Sequence, residues 1–314
     1  MLKFVVRRVV AVVPLIIIAT AATFLMLQLS DADPAVMRLG ESATEAQYAQ
    51  VRAELGTDRP AVVQYVDWLG HAVRLDFGES WQRPADVMTM IRQRMPATLS
   101  LTLGAVLVTI LVGLPLGTAA GVRAGSAADS AITAAASVGQ AMPAFWSGLL
   151  LSTYVALRYG FFPPTGFVGP TTSISGWLKS ITLPSIALGL SGAAAVARQT
   201  RAAVAGALRQ PHVRTAVSVG YSRGSVLRND VLRNAAIPVV TVLGVQLSLL
   251  LGGSLIVEQV FVVNGIGSLA YTSILQHDLP VVLGIVTVAA VIVSVVQLLL
   301  DIVYGLLDPR VRVG

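Results

Sequence analysis

The side chains able to do covalent or metal chemistry are few and scattered. The three histidines, His71, His212 and His277, lie far apart in polar stretches and do not make a paired-His metal spacing. Each reads more readily as a surface histidine than as a ligand. There is no cysteine, which excludes a disulfide framework, a thiolate zinc site and an iron–sulfur cluster. No Gly-x-Ser-x-Gly nucleophile elbow occurs. A phosphate-binding loop needs Gly-Lys-Ser/Thr. The only lysines, Lys3 and Lys179, follow Leu2 and Leu178, so neither can serve there. The chain is therefore read as carrying no catalytic residue, no metal and no cofactor of its own. What remains is binding and movement.

Two groups of residues could serve those ends. One is the basic segment from Arg198 to Arg233, with seven arginines in a chain otherwise poor in charge. The other is a set of uncharged polar residues inside apolar runs: Gln140, Ser147, Gln246, Ser248, Ser294 and Gln297. These could line a pathway across a membrane or hydrogen-bond between helices.

The elements that would hold them follow from composition. The 314 residues are 55% hydrophobic and 12% charged, against about 25% charged in soluble domains, and mean hydropathy is +0.76. That is a membrane protein. Its net charge of +6 is then to be read by side of the membrane, not as a nucleic-acid footprint. Charge-free windows long enough to cross a bilayer run over Val9–Leu29, Met95–Val122, Ser130–Leu157, Ser180–Ala197, Asn234–Val257 and Leu279–Leu300. The first is too long for a signal-peptide core and reads as a retained span. Pro115 and Pro143 fall inside windows and are expected to be tolerated there.

Six spans place both termini on one side. If that side is inside, the inner segments hold 13 Lys/Arg and four acids, the outer ones nine and 12. The positive-inside rule then puts both termini in the cytoplasm. The expected organisation is an N-terminal segment and span over 1–29, an external subdomain over 30–94 with a helical stretch at Thr44–Leu55, and a membrane domain over 95–314. A cytoplasmic loop occupies 198–233 of that domain. None of the windows contains an ionisable residue, and Glu258, Asp278 and Asp301 stand at their edges. This speaks against a proton-coupled transporter, whose spans carry such groups.

Within the loop, span four reads as continuing through "ARQTRAAVAGALRQ", with Arg198 and Arg201 on one helix face. These two fit either snorkelling to headgroups or facing a partner. Pro211 suits a first helical position and Gly220 the residue past an end, which predicts a two-turn helix between them. Such a helix needs packing to persist, and Val213, Ala216, Val217 and Val219 offer apolar contacts. A second helical pattern begins near Ser225 and is expected to end before Pro238. From the residues alone, the short helix is either a surface helix reconnecting two spans or a docking element.

"AVSVG" followed 17 residues later by Pro238 resembles the Ala-x-x-x-Gly…Ile-Pro loop of binding-protein-dependent ABC-transporter permeases. "VLRNAAIPVVTVLGVQL", "LLLGGSLIVEQVF", "NGIGSLAYTSILQHDLPVVLG" and "DIVYGLLDPRVR" resemble the dipeptide/oligopeptide branch, as do "RPAVVQYVDWLGHAVRLDFGESW" and "RMPATLSLTLGAVLVTILVGLPLG". The resemblance covers essentially the whole chain and is to the first of the two permeases of such systems. It departs at Val217 and Val219, where relatives usually carry basic residues, at Asn264–Gly265, where they often have Pro-Gly, and at Ala32–Asp33–Pro34, where they have Gly-Asp-Pro. The resemblance implies that Pro211, Val213, Arg214, Thr215, Ala216, Val217, Val219, Gly220 and Tyr221 couple to a cytoplasmic ATPase. It also implies a second homologous permease, ATPase subunits that bind ATP and magnesium, an external binding protein, and a place in the bacterial plasma (inner) membrane. Di- and oligopeptides are the cargo it suggests, with nickel or haem permeases as near relatives. A gradient-driven secondary transporter is the reading from a different class.

Overall fold

Apolar periodicity without any strand-like alternation gives helices throughout. The computed structural model describes residues 2–30 and 33–307, with side chains for 10–30 and 33–305. Among these residues the only β pairing is an isolated bridge between Glu79 and Asp86. Five helices are long and apolar enough to cross a membrane: Val10–Gln28, Val87–Val122, Ile174–Leu208, Arg223–Val260 and Leu279–Gly305. The described residues divide into two compact units.

The first unit takes the chain up to Thr98 together with Asn264–Ser294. Helix α1 (Leu2–Gln28) is followed by three short helices, α2 (Pro34–Leu39), α3 (Glu45–Leu55) and α4 (Ala61–Ala72). The helical stretch expected at Thr44–Leu55 is α3. Thr44 and Gln47 form a capping box, and Gly56 ends the helix in the left-handed conformation. Arg52 on α3 donates to Asp33, which itself accepts from Ala35 N–H to cap α2. The core gathers Phe77, the first turns of α5 (Val87–Val122), α12 (Ile266–Leu275) and the start of α13 (Leu279–Leu307) around Ile91, Leu269 and Val281. Gly265 offers α12 no side-chain cap, and Thr98 supplies one by accepting from Ile266 N–H at 2.8 Å.

A buried acid fastens the approach to α5. Asp278, 1% exposed, accepts from the Ser80 hydroxyl and from Trp81 N–H. Burial pushes its carboxyl above the usual range, against those hydrogen bonds.

The second unit comprises Leu99–Val263 and the chain from Val295. Its axis is α8 (Ile174–Leu208), which packs against α6 (Ala127–Ala141), α7 (Ala144–Leu150) and α11 (Leu232–Val260). At 35 residues α8 is about 52 Å long at 1.5 Å per residue. The charge-free window saw only its middle, because Lys179 and Arg198 ride on the same helix. The α5 segment meets α8 through glycines at every fourth position. A Cβ on Gly113 would come 2.9 Å from Ala193 O, one on Gly121 2.9 Å from Arg201 O, and one on Gly117 would overlap Ala197 O. Only hydrogens fit between the two backbones there.

Two expectations are corrected. Ser130–Leu157 is not one helix. Met142 turns extended, Pro143 follows, and the run divides into α6 and an Ala144–Leu157 helix whose last seven residues are π-helical. Proline disfavours the helical conformation of the residue before it, and here that preference prevails. Conversely, the return from the loop does not stop before Pro238. Arg223–Val226 (α10) passes through a π-helical turn at Leu227–Val231 into α11, and Pro238 lies inside that helix.

Candidate functional site

The short helix lies where the sequence places it. Pro211 opens α9 (Pro211–Ser218) as its first residue, and Gly220 has φ 96° just past its end. Val219 N–H reaches Thr215 O, and Tyr221 N–H reaches Ala216 O, closing the last turn. Thr215 donates its hydroxyl to Pro211 O, and Ser218 to Thr215 O. A Cβ on Gly220 would meet nothing within 4 Å, so glycine is required there by the backbone angle and not by crowding.

The helix is held by one anchor. Val213 is 3% exposed in a cluster with Val204, Ala207, Val226, Val231 and Ala235, and Ala216 is half-buried beside it. Of the other residues that offer apolar contacts, Val217 and Val219 face outward. They are 44% and 72% exposed, and Tyr221 is 64% exposed. Two turns of helix can turn only one narrow stripe inward, and Val213 with Ala216 fills it. Pro211, Arg214 and Thr215 are exposed as well. Beside this face is a cavity of about 540 Å³ lined by Val122, Leu208, Val213, Arg214, Val217 and Leu227 among others. An apolar ledge thus stands next to an apolar hollow, flanked by Arg214 and Arg223.

Arg201 has a partner within the chain that its sequence position does not announce. It grips Asp129 in a two-pronged pair, with Nε at 2.9 Å and the second guanidinium nitrogen at 2.6 Å. Gly125 N–H and the Thr133 hydroxyl also donate to Asp129. The arginine hydrogen bonds hold this carboxyl well below the usual carboxylate range. The pair ties the start of α6 to the extension of α8 that leads into α9. Arg198, one turn before, is exposed.

Of the candidate pathway residues, Ser248 and Gln297 meet directly. Gln297 on α13 donates to Ser248 on α11 at 3.1 Å, an interhelical hydrogen bond. Ser248 and Ser294 each bond a carbonyl in their own helix, at Gly244 and Ala290. Ser147 is buried and bonds Pro143 O, Gln246 is half-buried, and Gln140 is exposed. Glu258, taken as a window edge, lies within α11 and is fully buried. His277 has a positive φ of 49° and a buried Nδ1 without a hydrogen-bond partner. His71 and His212 are exposed. Among the described residues no group of histidines and acids could hold a metal. Asp308 and the arginines beyond it, and Ala32, lie outside the described residues.

Two family models match the chain: the inner membrane component of binding-protein-dependent transport systems over residues 113–313, and the N-terminal part of such membrane components over residues 1–102. The chain belongs to that family. The permease is similar to a Brucella abortus protein named as a peptide transport system permease, at 37% identity over 99% of both chains. It is similar also to the oligopeptide transport system permease protein AppB of Bacillus subtilis, at 32% identity over 99% of this chain and all of that one. In fold it matches a chain of the inward-facing MetNI methionine ABC transporter, with a TM-score of 0.56 and 17% identity over 70% of this chain and 97% of that one. The permease is thus an inner-membrane subunit of an importer, and ATP hydrolysis lies in its partner subunits.

Proposed function

We propose that this permease forms one half of a translocation pathway for di- or oligopeptides, with a second homologous permease as the other half. Its relatives over full length are named for peptide transport, which supports that cargo class. In this reading six segments cross the membrane, the Ala144–Leu157 helix completing the crossing that α6 begins. Both termini and the 198–233 loop are cytoplasmic, and 30–94 faces an external binding protein.

The observation that carries the reading is the exposed apolar face of α9. Val217 on α9, with Val219 and Tyr221 just past its end, stands out from a helix anchored from behind by a single buried valine. That face suits the cleft of an ATPase subunit. Closure of the ATPases on ATP moves α9, and the pathway opens outward. Nucleotide drives the change because it binds the closed arrangement more tightly.

Gly220→Val tests the coupling. Holding a β-branched residue in the left-handed region costs about 1–2 kcal/mol or more, while space for the side chain is open. ATP-dependent uptake is expected to fall steeply with membrane abundance unchanged, and unaltered uptake would sink the proposal. Permease in vesicles without any ATPase separates the classes, since robust uptake on a proton gradient alone would make it a secondary transporter.

A further inference from the structure

The first unit carries an apolar surface that transport does not account for. Helix α4 has three distinct faces. Tyr65 and Trp68 pack inward, in a ring series running Phe24–Tyr65–Trp68–Phe77 with centroid separations of 5.4, 6.1 and 6.4 Å. Val62, Val66 and Val73, spaced four and seven apart, share a second face at 74%, 57% and 80% exposure. Asp67 and His71 occupy a third, with Asp67 paired to Arg59 at 2.6 Å. An arc of exposed valines beside a polar arc is the pattern of a helix lying in a membrane interface.

The depth of α4 says what covers the valines. The Tyr65 hydroxyl donates to Ile17 O at 3.0 Å and meets Thr20 Oγ1 at 2.9 Å. Both belong to the apolar span Val10–Gln28. Nearer the end of that span, Gln28 donates to Gln64. Thr20 is eight residues inside Gln28, or about 12 Å along the helix. A hydroxyl at that depth has no water and must bond protein, as Tyr65 does. Only 11% of the α1 span is buried. A helix laid against so bare a span shares its surroundings, and an apolar span of this length is suited to acyl chains.

We propose that α4 is an interfacial helix immersed in the bilayer leaflet at the Gln28 end of α1, with Val62, Val66 and Val73 against lipid and Asp67 and His71 toward the headgroups. The assignment does not depend on the cargo or on the ATPase. The topology proposed above only names this leaflet as the outer one.

The chain has no cysteine, so single introduced thiols report cleanly. V62C, V66C and D67C carry a nitroxide in the full-length permease in lipid vesicles, and collision with oxygen is compared with collision with a water-soluble nickel chelate. The ratio of oxygen to nickel accessibility is expected to exceed one at V62C and V66C and to fall below one at D67C. Nickel accessibility at the valine positions equal to that at D67C would overturn the proposal by placing the face in water. Protection from both reagents at those positions would overturn it equally, because a protein surface would then cover the face. Vesicles of the intact transporter, with and without binding protein, repeat the comparison, and a ratio that changes only with binding protein would assign the face to that partner instead.

Discussion

At the residue scale, Asp129 and Arg201 show how a charge in a membrane protein can be silent in its local sequence. The two are 72 positions apart. Arg201 is one of seven arginines around the loop, and nothing in its neighbours distinguishes it from Arg198. The pair stabilises the fold in a pH-dependent way whose sign is set by the depressed acid. With its folded pKa below the ordinary 3.8, Asp129 contributes its full stabilisation above that value and loses it on acidification through the depressed one. Thermal stability in detergent should therefore fall below about pH 4. Asp129→Asn should lower stability at pH 7 and remove that part of the acid dependence. An unchanged acid limb in the variant would show that other carboxylates dominate it. Gly220 is the opposite case. Its role depends on its own φ, and a glycine just past a short apolar helix announces that angle.

At the element scale, packing decided what periodicity could not. The α5 glycines Gly113, Gly117 and Gly121 read in sequence as small residues in an apolar run. Against α8 they are the places where two backbones touch. Gly117→Leu drives side-chain atoms into Ala197 O and Thr200, and overpacking of this kind costs typically 1–3 kcal/mol. A lower melting temperature in detergent is expected for it, with little change for Gly206→Leu on α8, where a Cβ meets nothing. Pro143 and Pro238 make the same point for helix ends. Both stand in apolar runs, yet one divides its run and the other sits inside a continuous helix. Local preference disfavours helix before each, and the surrounding contacts select the outcome.

At the scale of the whole molecule, the charge asymmetry and the two units bear on topology. With the loop cytoplasmic and 30–94 external, single cysteines at S218C and E45C should react with an impermeant maleimide from opposite sides of the membrane in intact cells and inverted vesicles. Reaction from the same side would overturn the proposed arrangement. Both positions are exposed, so folding should be unaffected.

Much of the molecule was legible before any coordinate. Hydropathy alone determines a membrane protein, because a bilayer admits only segments that satisfy their backbone internally. Pro211 and Gly220 determine α9, and Thr44 with Gln47 determines the start of α3, because caps act within one turn. The two lysines, neither preceded by glycine, leave no phosphate-binding loop of the Gly-Lys-Ser/Thr kind in the sequence. Tertiary structure alone decided the partner of Arg201, the outward face of Val217 and Val219, the division of the third apolar run, the burial of Glu258 and the contact of Tyr65 with α1. Each of these is a competition for neighbours between segments far apart in the chain, and a linear pattern records only the competitors.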